Sequence, residues 1–280
     1  TNRIYAYRGY DKKLLWKKDL SGTVYHGTAA TDVNGDNKPD LIIGDYGATL
    51  YALDGATGET IWTFTKPNLY YIGSPAVIGD LDGDGSCEII FTSAFQVTVL
   101  NLQGKELWSY WVPQGQVSYR GVALSDLNDD NLPDIVFAST TGQVYILQGK
   151  DGLVLNTYDL AKHINKSFDI NHAPLIADFN LDGIKDIFVV GGFTDYPDVS
   201  KNYGRAYLLS ANKGKGPDWL MFQNNIRRDG NICNKPVSVY DNDANDFIII
   251  NNNSEKIILN FNTILDDNKN KLINIYDILG

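Results

Sequence analysis

Short hydrophobic runs bounded by polar turns recur throughout residues 1–225. Runs such as "LIIGD" at 41–45 and "IVFAS" at 135–139 are rich in β-branched and aromatic residues, and Gly, Asn and Asp flank them. The spacing i, i+3, i+4 that marks an amphipathic helix is not found there. The pattern therefore predicts an all-β protein.

The strand pattern repeats around a nine-residue acidic motif. Its copies read "DVNGDNKPD" at 32–40, "DLDGDGSCE" at 80–88, "DLNDDNLPD" at 126–134 and "DFNLDGIKD" at 178–186. Hydrophobic runs precede and follow each copy. A Tyr-rich run and a run after a Gly turn complete the repeat, and Trp16, Trp62 and Trp108 stand in the last run at 46-residue intervals. Four strands in about 40–50 residues is the period of a β-propeller blade, so we predict four complete four-stranded blades.

The two ends of the chain depart from this repeat. Residues 3–19 supply only the third and fourth strands of a blade, so we predict a half blade there. Because propellers close without open sheet edges, we expect the natural protein to continue upstream of Thr1. Residues 233–280 carry no acidic motif. We predict a β-propeller over 1–232 and a small β-sandwich-like domain over 233–280, which needs at least one more strand beyond Gly280.

Composition narrows the possible partners. The net charge of −10 and the pI near 4.7 argue against nucleic acid and anionic membranes. No apolar run approaches the roughly 20 residues that span a bilayer. Cys87 and Cys233 make neither a disulfide framework nor a metal knuckle, and the sequence leaves open whether they pair with each other.

Each acidic motif has the donor pattern of a calcium loop. Positions 1, 3 and 5 are Asp or Asn and position 9 is Asp or Glu, the oxygen donors that a hard cation takes. Position 6 is Asn or Gly, which tolerates the left-handed backbone that would turn the carbonyl of position 7 toward an ion. An ordinary Asp/Asn/Gly turn between strands is the simpler alternative. The predicted ligands are Asp32, Asn34, Asp36, Lys38, Asp40, Asp80, Asp82, Asp84, Ser86, Glu88, Asp126, Asn128, Asp130, Leu132, Asp134, Asp178, Asn180, Asp182, Ile184 and Asp186, of which Lys38, Ser86, Leu132 and Ile184 would donate carbonyls.

Charge supports a bound ion at each motif. The ligand positions hold thirteen carboxylates, three or four in each loop. Without ions, such groups repel each other and their pKa values rise. Four Ca²⁺ ions would bring the formal net charge from −10 to −2. We therefore expect about four calcium ions as cofactors.

The acidic motif and the Trp-bearing element resemble two kinds of known propeller. The acidic motif followed by a strand, best seen in "GSPAVIGDLDGDG" at 73–85, resembles the FG-GAP/VCBS repeats of integrin α-chain-like propellers. The element "LYALDGATGETIW" at 50–62 resembles instead the blade motif of quinoprotein-type propellers, in which the Trp docks neighbouring blades. The combined resemblance implies structural or adhesive calcium loops and a ligand-binding face. It does not imply an enzymatic activity.

The tail resembles the start of a type A C-terminal sorting domain of the type IX secretion system. Residues 239–247 follow that family's "VYPNPA-x-D-F" pattern with Asp241 and Asp243 in place of both prolines, and 273–280 follow its "I-x-IYDxxG" pattern. The resemblance implies a Bacteroidota source, the type IX machinery as a partner, and a secreted or cell-surface location. Millimolar calcium outside cells, which can saturate weak sites, fits that location.

A rim of polar residues is the candidate ligand-binding site. His26 and His172 each lie six residues before their acidic motifs, where Ser74 and Arg120 stand in the other repeats. Equivalent positions lie at one rim of the ring near its axis. The predicted ligand-binding residues are Tyr25, His26, Tyr119, Arg120, Asn171 and His172. The alternative is that they are simply polar loop residues.

Two classes of function remain open. The first is a non-enzymatic binding or adhesion module for a glycan or a protein. The second is a lyase-like enzyme acting on polysaccharide, in which calcium and a basic residue such as Arg120 would assist proton abstraction. No compact catalytic constellation and no nucleophile or zinc-protease motif is found, so we predict no catalytic residues and favour the binding module. A quinone-dependent dehydrogenase ranks third.

Overall fold

The computed structural model describes residues 2–233, apart from 114, 116, 118, 119, 212, 226, 227 and 229, together with 249–253 and 256–260. The chain divides into two compact units, Thr1–Ser238 and Val239–Gly280. The predictions for the tail therefore fall largely outside the described residues. Within the described part of the second unit, Ile249–Asn253 and Lys256–Asn260 pair as an antiparallel hairpin.

The first unit is built from antiparallel sheets that follow the chain in order, as in a β-propeller. The all-β propeller prediction is confirmed. The strands are β1 Arg3–Tyr7, β2 Leu14–Asp19, β3 Ala29–Thr31, β4 Asp40–Gly44, β5 Leu50–Leu53, β6 Thr60–Phe64, β7 Val77–Gly79, β8 Glu88–Ser93, β9 Gln96–Asn101, β10 Glu106–Trp111, β11 Ala123–Ser125, β12 Asp134–Ala138, β13 Gln143–Leu147, β14 Val154–Asp159, β15 Leu175–Ala177, β16 Asp186–Phe193 and β17 Tyr203–Ser210.

These strands form a half blade and four blades. Strands β1 and β2 pair as the predicted half blade, and β3–β6, β7–β10 and β11–β14 form the first, second and third blades. The fourth blade has three strands in the part of the chain that the structure describes, β15 to β17, where the sequence predicts four. The described residues after β17 return to the inner edges of the blades.

Among the described residues, the helices are short. The α-helix α1, Leu160–Ile164, links the third blade to the fourth, and a single 3₁₀ turn lies at Val199–Lys201. Asp159 caps α1 by accepting the amide of Lys162 at 2.8 Å. Among the described residues, no helix is long and apolar enough to cross a membrane.

Burial falls from the inner to the outer strand of each blade. All six residues of β8 are buried, as are the first five of β9, because neighbouring blades cover both of their faces. Strand β10 instead alternates half-buried and exposed residues, as an outer strand with one wet face does. This gradient explains why the inner strands appear in the sequence as continuous apolar runs and the Trp-bearing strands as alternating ones.

Tryptophans hold adjoining blades together. Trp16, Trp62 and Trp108 each donate their indole N–H to a backbone carbonyl of the next blade along the chain. The acceptors are Gly55, Leu102 and Gly149, at 3.0, 2.8 and 3.1 Å. Each ring also lies on a glycine of that turn, where a Cβ would come within 2.6–2.8 Å of it: Gly58, Gly104 and Gly152. The prediction that these tryptophans act as wedges between blades is confirmed.

A central segment, the described residues of 213–233, runs along the inner edges of the blades. Trp219, which is completely buried, exchanges two backbone hydrogen bonds with Ile176 of β15, at 2.8 and 2.9 Å. The carbonyl of Pro217 accepts the hydroxyl of Ser125 from β11 at 2.8 Å. The segment thereby joins the fourth blade to the third.

The same segment continues to the first and second blades. Ile78 of β7 forms a parallel bridge with Asn231, whose side-chain amide also donates to the carbonyl of Ala30 in β3 at 3.0 Å. Two residues later, Cys233 forms a disulfide with Cys87, across Cα atoms 6.1 Å apart. The pairing that the sequence left open is thus made, and it fastens the central segment to the second acidic loop.

Candidate functional site

The topology places the two sets of predicted site residues at opposite ends of the innermost strands. The four acidic loops follow these strands and define the acidic face, at 32–40, 80–88, 126–134 and 178–186. The linkers that precede the same strands define the mouth face, at 20–28, 65–76, the described residues of 112–122, and 160–174.

On the acidic face, the carboxylate at position 9 of every loop begins the second strand of its blade. These four residues are at most 4% exposed: Asp40, Glu88, Asp134 and Asp186. Each accepts the backbone N–H of position 2 in its own loop, at 2.7–3.2 Å, from Val33, Leu81, Leu127 and Phe179. A buried carboxylate is therefore fixed at the same point of every blade.

The other carboxylates shape the loop backbone. Position 1 accepts amides from the middle of the loop, as Asp126 does from Asp129 at 2.7 Å and from Asn131 at 2.8 Å. Position 5 accepts the amide of position 7 in all four loops. The left-handed backbone predicted at position 6 is confirmed, and position 4 shares it. The residues with positive φ are Gly35, Asn37, Gly83, Gly85, Asp129, Asn131, Leu181 and Gly183.

Negative charge is concentrated where these loops meet the strands. In the second loop, carboxylate oxygens of Asp80, Asp82 and Glu88 lie within 4.8 Å of one another. Burial, together with the charges of the neighbouring aspartates, raises the pKa of Glu88 to about 7. The same two causes raise the pKa of Asp134 to about 7. Burial also raises the pKa of Asp40. Such groups are stabilised as anions only if a cation balances them.

The donor set fits a hard divalent cation. The predicted side-chain ligands of each loop are Asp, Asn or Glu, which offer oxygen donors. Among the described residues, three carboxylates come together in the second loop. A plain Asp/Asn turn would account for the internal hydrogen bonds, but not for the buried carboxyl group of Glu88 beside Asp80 and Asp82 in the second loop. Calcium, and the carbonyl ligands Lys38, Ser86, Leu132 and Ile184, stay predictions.

On the mouth face, a cavity of about 440 Å³ lies between the fourth blade, the third linker and the central segment. Two of the predicted residues, Arg120 and His172, line it. The central segment contributes Phe222 and Arg228, and β16 contributes Phe188. Sequence reasoning missed these three, because only the fold shows that residues after 211 return to the ring centre.

The other predicted residues of this face have different surroundings. His26 is half-buried, and its pKa is lowered by burial and by the positive charge of Arg120, which places the two side chains in one electrostatic neighbourhood. Ser74 is buried and makes a hydroxyl contact with Thr92. Asn171 is exposed. Tyr119 lies outside the described residues.

Tyr25 belongs to a second feature of the mouth face, an exposed aromatic surface on the first two blades. Its ring packs on Tyr46 at 4.5 Å between centroids, and Tyr46 stacks on Tyr71 at 5.0 Å. The neighbouring Tyr70 packs on Phe95 at 5.0 Å, and Phe95 stacks on Trp111 at 5.9 Å. We call these six residues the aromatic surface. The sequence signal for this surface is "LYYIG" at 69–73. These residues lie in the linker before β7, and the linkers before the innermost strands all lie on the mouth face.

The arrangement required by the lyase hypothesis is not brought together in the third blade. Arg120 precedes β11 and the acidic loop begins at Asp126, six positions later, with the strand Ala123–Ser125 between them. Six positions of extended chain span at most about 20 Å at ~3.3 Å per residue. The backbone of Arg120 and the acidic loop of this blade therefore lie at opposite ends of β11.

Comparison with known proteins identifies the relatives of the chain. Residues 1–195 match the family model described as outer membrane protein assembly factor BamB. No curated protein matches the chain. Among solved structures, BamB from Moraxella catarrhalis is similar over 74% of this chain and 58% of its own, at 17% identity and a TM-score of 0.49.

Two further solved structures are similar. BBS1N in complex with ARL6DN matches 71% of this chain and 55% of its own, at 10% identity and a TM-score of 0.45. The computationally designed Ika8 protein matches 73% and 51%, at 14% identity and a TM-score of 0.47. The chain thus spans between half and three fifths of the length of these structures. The structural similarities add nothing to the family assignment, which rests on residues 1–195.

The assignment to FG-GAP/VCBS repeats is wrong. The family match extends over residues 1–195 and points to BamB, and nothing in the comparisons supports an integrin-like family. The physical reason is that the acidic motif is a nine-residue local loop that a blade of any propeller can carry between its first two strands. The family match takes in the Trp-bearing strands of the blades, including the quinoprotein-type motif at 50–62.

The assignment of the tail to a type IX sorting domain is also wrong. The comparisons give no support to that domain or to the type IX machinery as a partner. The resemblance depended on two short patterns, 239–247 and 273–280, which lie almost wholly outside the described residues. The first had already lost both prolines, and with them the restricted backbone that distinguishes the motif from any Asn/Asp-rich stretch.

Proposed function

Because the chain belongs to the family of the outer membrane protein assembly factor BamB, we propose that it is a non-catalytic scaffold whose mouth face binds a protein partner. A propeller suits this role, since its rigid blades present irregular linkers side by side. The chain spans 58% of the length of the solved BamB structure. A protein partner is therefore proposed for this chain, and is not taken over from BamB. A glycan partner and an adhesive role depended on the integrin-like resemblance and lose their basis with it.

The aromatic surface is the observation that carries this proposal. Tyr25 is 67% exposed, Trp111 52% and Tyr70 46%, yet their rings contact other aromatic rings of the same face. Aromatic side chains are enriched at protein interfaces, where they bury large areas with little loss of conformational entropy. Single exposed aromatics are common, but two groups of three packed rings, joined in sequence at residues 70 and 71, form a surface that association would desolvate.

Calcium has a structural part in this proposal. Four ions, one in each acidic loop, would neutralise the buried carboxylates at position 9 and hold the turn between the first two strands of each blade. They supply no catalytic chemistry, because the mouth face lies at the other end of the innermost strands. Stabilisation would follow from binding to the folded state alone.

We also propose a location outside the cytoplasm, secreted or at the cell surface. The disulfide between Cys87 and Cys233 supports it, because structural disulfides form and persist in oxidising compartments. Calcium loops with few or no ligands from elsewhere in the chain support it too, since millimolar calcium is found outside cells.

Site-specific photo-crosslinking tests the binding role. A photoreactive phenylalanine analogue replaces Tyr70 on the aromatic surface or, as the control, the exposed Lys150 on the acidic face. Cells that naturally produce the protein are irradiated, and crosslinked products are identified by mass spectrometry. We expect one protein species to crosslink at position 70 and not at position 150. Equal crosslinking at both positions, or none at 70, would refute the proposal.

A further inference from the structure

The cavity on the mouth face has an apolar floor. Its apolar lining residues come from the linker before the fourth blade, from two strands of that blade and from the central segment. They are Ala173, Leu175, Phe188, Val190 and Phe222. A volume of about 440 Å³ is within the range of sites for small organic ligands, which are concave and mostly apolar with a few polar groups that set orientation.

The charged lining of this cavity has one sign of charge. Arg120 and Arg228 line it beside His172, and none of the described residues that line it is acidic. This is the reverse of the whole chain, in which acidic residues outnumber basic ones by 34 to 24. The charge of Arg120 also reaches His26, where it disfavours a second positive charge. The mouth of this acidic protein is therefore locally electropositive.

Guanidinium groups beside an apolar floor select for a particular ligand chemistry. Arg pairs with the oxygens of carboxylates through charge-assisted hydrogen bonds. A fully hydrated inorganic anion would leave the floor uncovered, and a neutral apolar molecule would leave the guanidinium groups without an ionic partner. Only a molecule that carries an anionic group on an apolar body contacts both the guanidinium groups and the apolar floor.

We propose that this cavity binds a small organic carboxylate, with its carboxylate at Arg120 and Arg228 and its apolar body on the floor formed around Phe188 and Phe222. The site lies beside the fourth blade, whereas the aromatic surface lies on the first and second. It is therefore separate from the proposed protein-binding surface, and either proposal can fail without the other.

Calorimetric titration of the full chain tests the proposal with three probes. The probes are 4-phenylbutyrate, its neutral analogue 4-phenylbutan-1-ol, and inorganic phosphate. We expect saturable binding of 4-phenylbutyrate and at least about tenfold weaker binding of the other two. If the alcohol binds as tightly as 4-phenylbutyrate, the arginines do not contribute to binding. If phosphate binds as tightly, the apolar floor does not contribute to binding. Either result, or no binding of 4-phenylbutyrate, would overturn the proposal.

Charge-neutral variants locate the binding site. We expect R120Q and R228Q each to weaken 4-phenylbutyrate binding about tenfold, because each removes one charge-assisted interaction. The matched control is R205Q, which removes an exposed arginine from β17, outside the cavity, and should leave affinity unchanged. Melting temperatures confirm that all three variants fold. Binding that survives both R120Q and R228Q, or that R205Q weakens equally, would contradict the assignment.

Discussion

The two faces of this propeller differ in how their residues relate from blade to blade. On the acidic face, each blade has Asp, Asn or Glu at the same positions, and Asp40, Asp134 and Asp186 are equivalent and equally buried. On the mouth face, the four equivalent positions carry three kinds of side chain: His26, Ser74, Arg120 and His172. Both sets lie at the ends of the same strands. Side chains that repeat in every blade stabilise the blade itself. Side chains that differ from blade to blade can instead contact a single ligand.

The tryptophans show the largest contrast between a repeated and an individual residue. Trp62 lies between blades and donates to Leu102, whereas Trp111 lies exposed on the aromatic surface. We expect Trp62→Ala to lower the free energy of unfolding by about 3–5 kcal/mol, as large-to-small core changes do. Trp111→Ala should lower it by about 1 kcal/mol or less. Guanidinium denaturation measures both. Equal losses would show that the two residues do not have separate roles.

The disulfide gives the next largest effect. Replacing both Cys87 and Cys233 by Ser should lower the free energy of unfolding by about 2–4 kcal/mol under oxidising conditions, because the bond restricts a long stretch of the unfolded chain. Under reducing conditions the variant and the natural chain should unfold alike. If the two differ equally with and without reductant, the loss comes from packing and not from the bond.

The repeated features were predictable from sequence, and the individual ones mostly were not. The blade period, the inner strands and the Trp contacts each recur along the chain, so every copy strengthens the prediction made from the others. The equivalent positions of Trp16 and Trp108, for example, strengthen the prediction for Trp62. The central segment occurs once, and its bridges at Trp219 and Asn231 depend on residues more than forty positions away. The cavity that it closes therefore leaves no local pattern in the sequence.

Calcium should give a smaller effect at the acidic face. At a hundredfold excess over its Kd, calcium at one site stabilises the fold by about 2.7 kcal/mol. We expect Asp130→Asn, at ligand position 5, to reduce the number of calcium ions bound per chain by one. The matched control is Asp129→Asn, which makes the same change at position 4 of the same loop and should leave the count unchanged. Calorimetry on EDTA-treated protein measures the count; fewer than two ions on the unmodified chain would contradict the calcium proposal.

The smallest predicted effect is a pH dependence. The pKa of Glu88 and of Asp134 is about 7 in the calcium-free fold, above the ordinary values of these groups. A raised carboxyl pKa contributes stability that is complete below its unfolded value and is lost as the pH rises through 7. We therefore expect the calcium-free protein to be more stable at pH 5 than at pH 8.

Calcium should invert that trend, because the ion binds the deprotonated carboxylates. The rise in melting temperature on adding calcium should be larger at pH 8 than at pH 5. The variant Glu88→Gln cannot titrate at this position and should reduce the difference. A rise that is independent of pH, or larger at pH 5, would show that these carboxyl groups do not bind the ion.

The family assignment illustrates the limit of reading short motifs. The acidic loops are the most regular feature of the sequence, and they resemble integrin-like repeats. The Trp-bearing strands resemble quinoprotein-type propellers instead. A loop of nine residues is set by its own side chains, as the hydrogen bonds around Asp126 show, and so it carries little information about the fold around it. The strand packing that Trp62 and Gly104 share extends between blades and is specific to the architecture.

One paired measurement tests the separation of the two faces most directly. In cells, the crosslink yield at position 70 is compared between two variants, Asp134→Asn and Trp111→Ala, and the melting temperature of each purified variant is measured with calcium. We predict that Asp134→Asn lowers the melting temperature and leaves the crosslink yield unchanged at a temperature where it is folded. Trp111→Ala should leave the melting temperature within a few degrees and lower the yield severalfold. Loss of crosslinking in Asp134→Asn while folded, with full crosslinking in Trp111→Ala, would contradict the account.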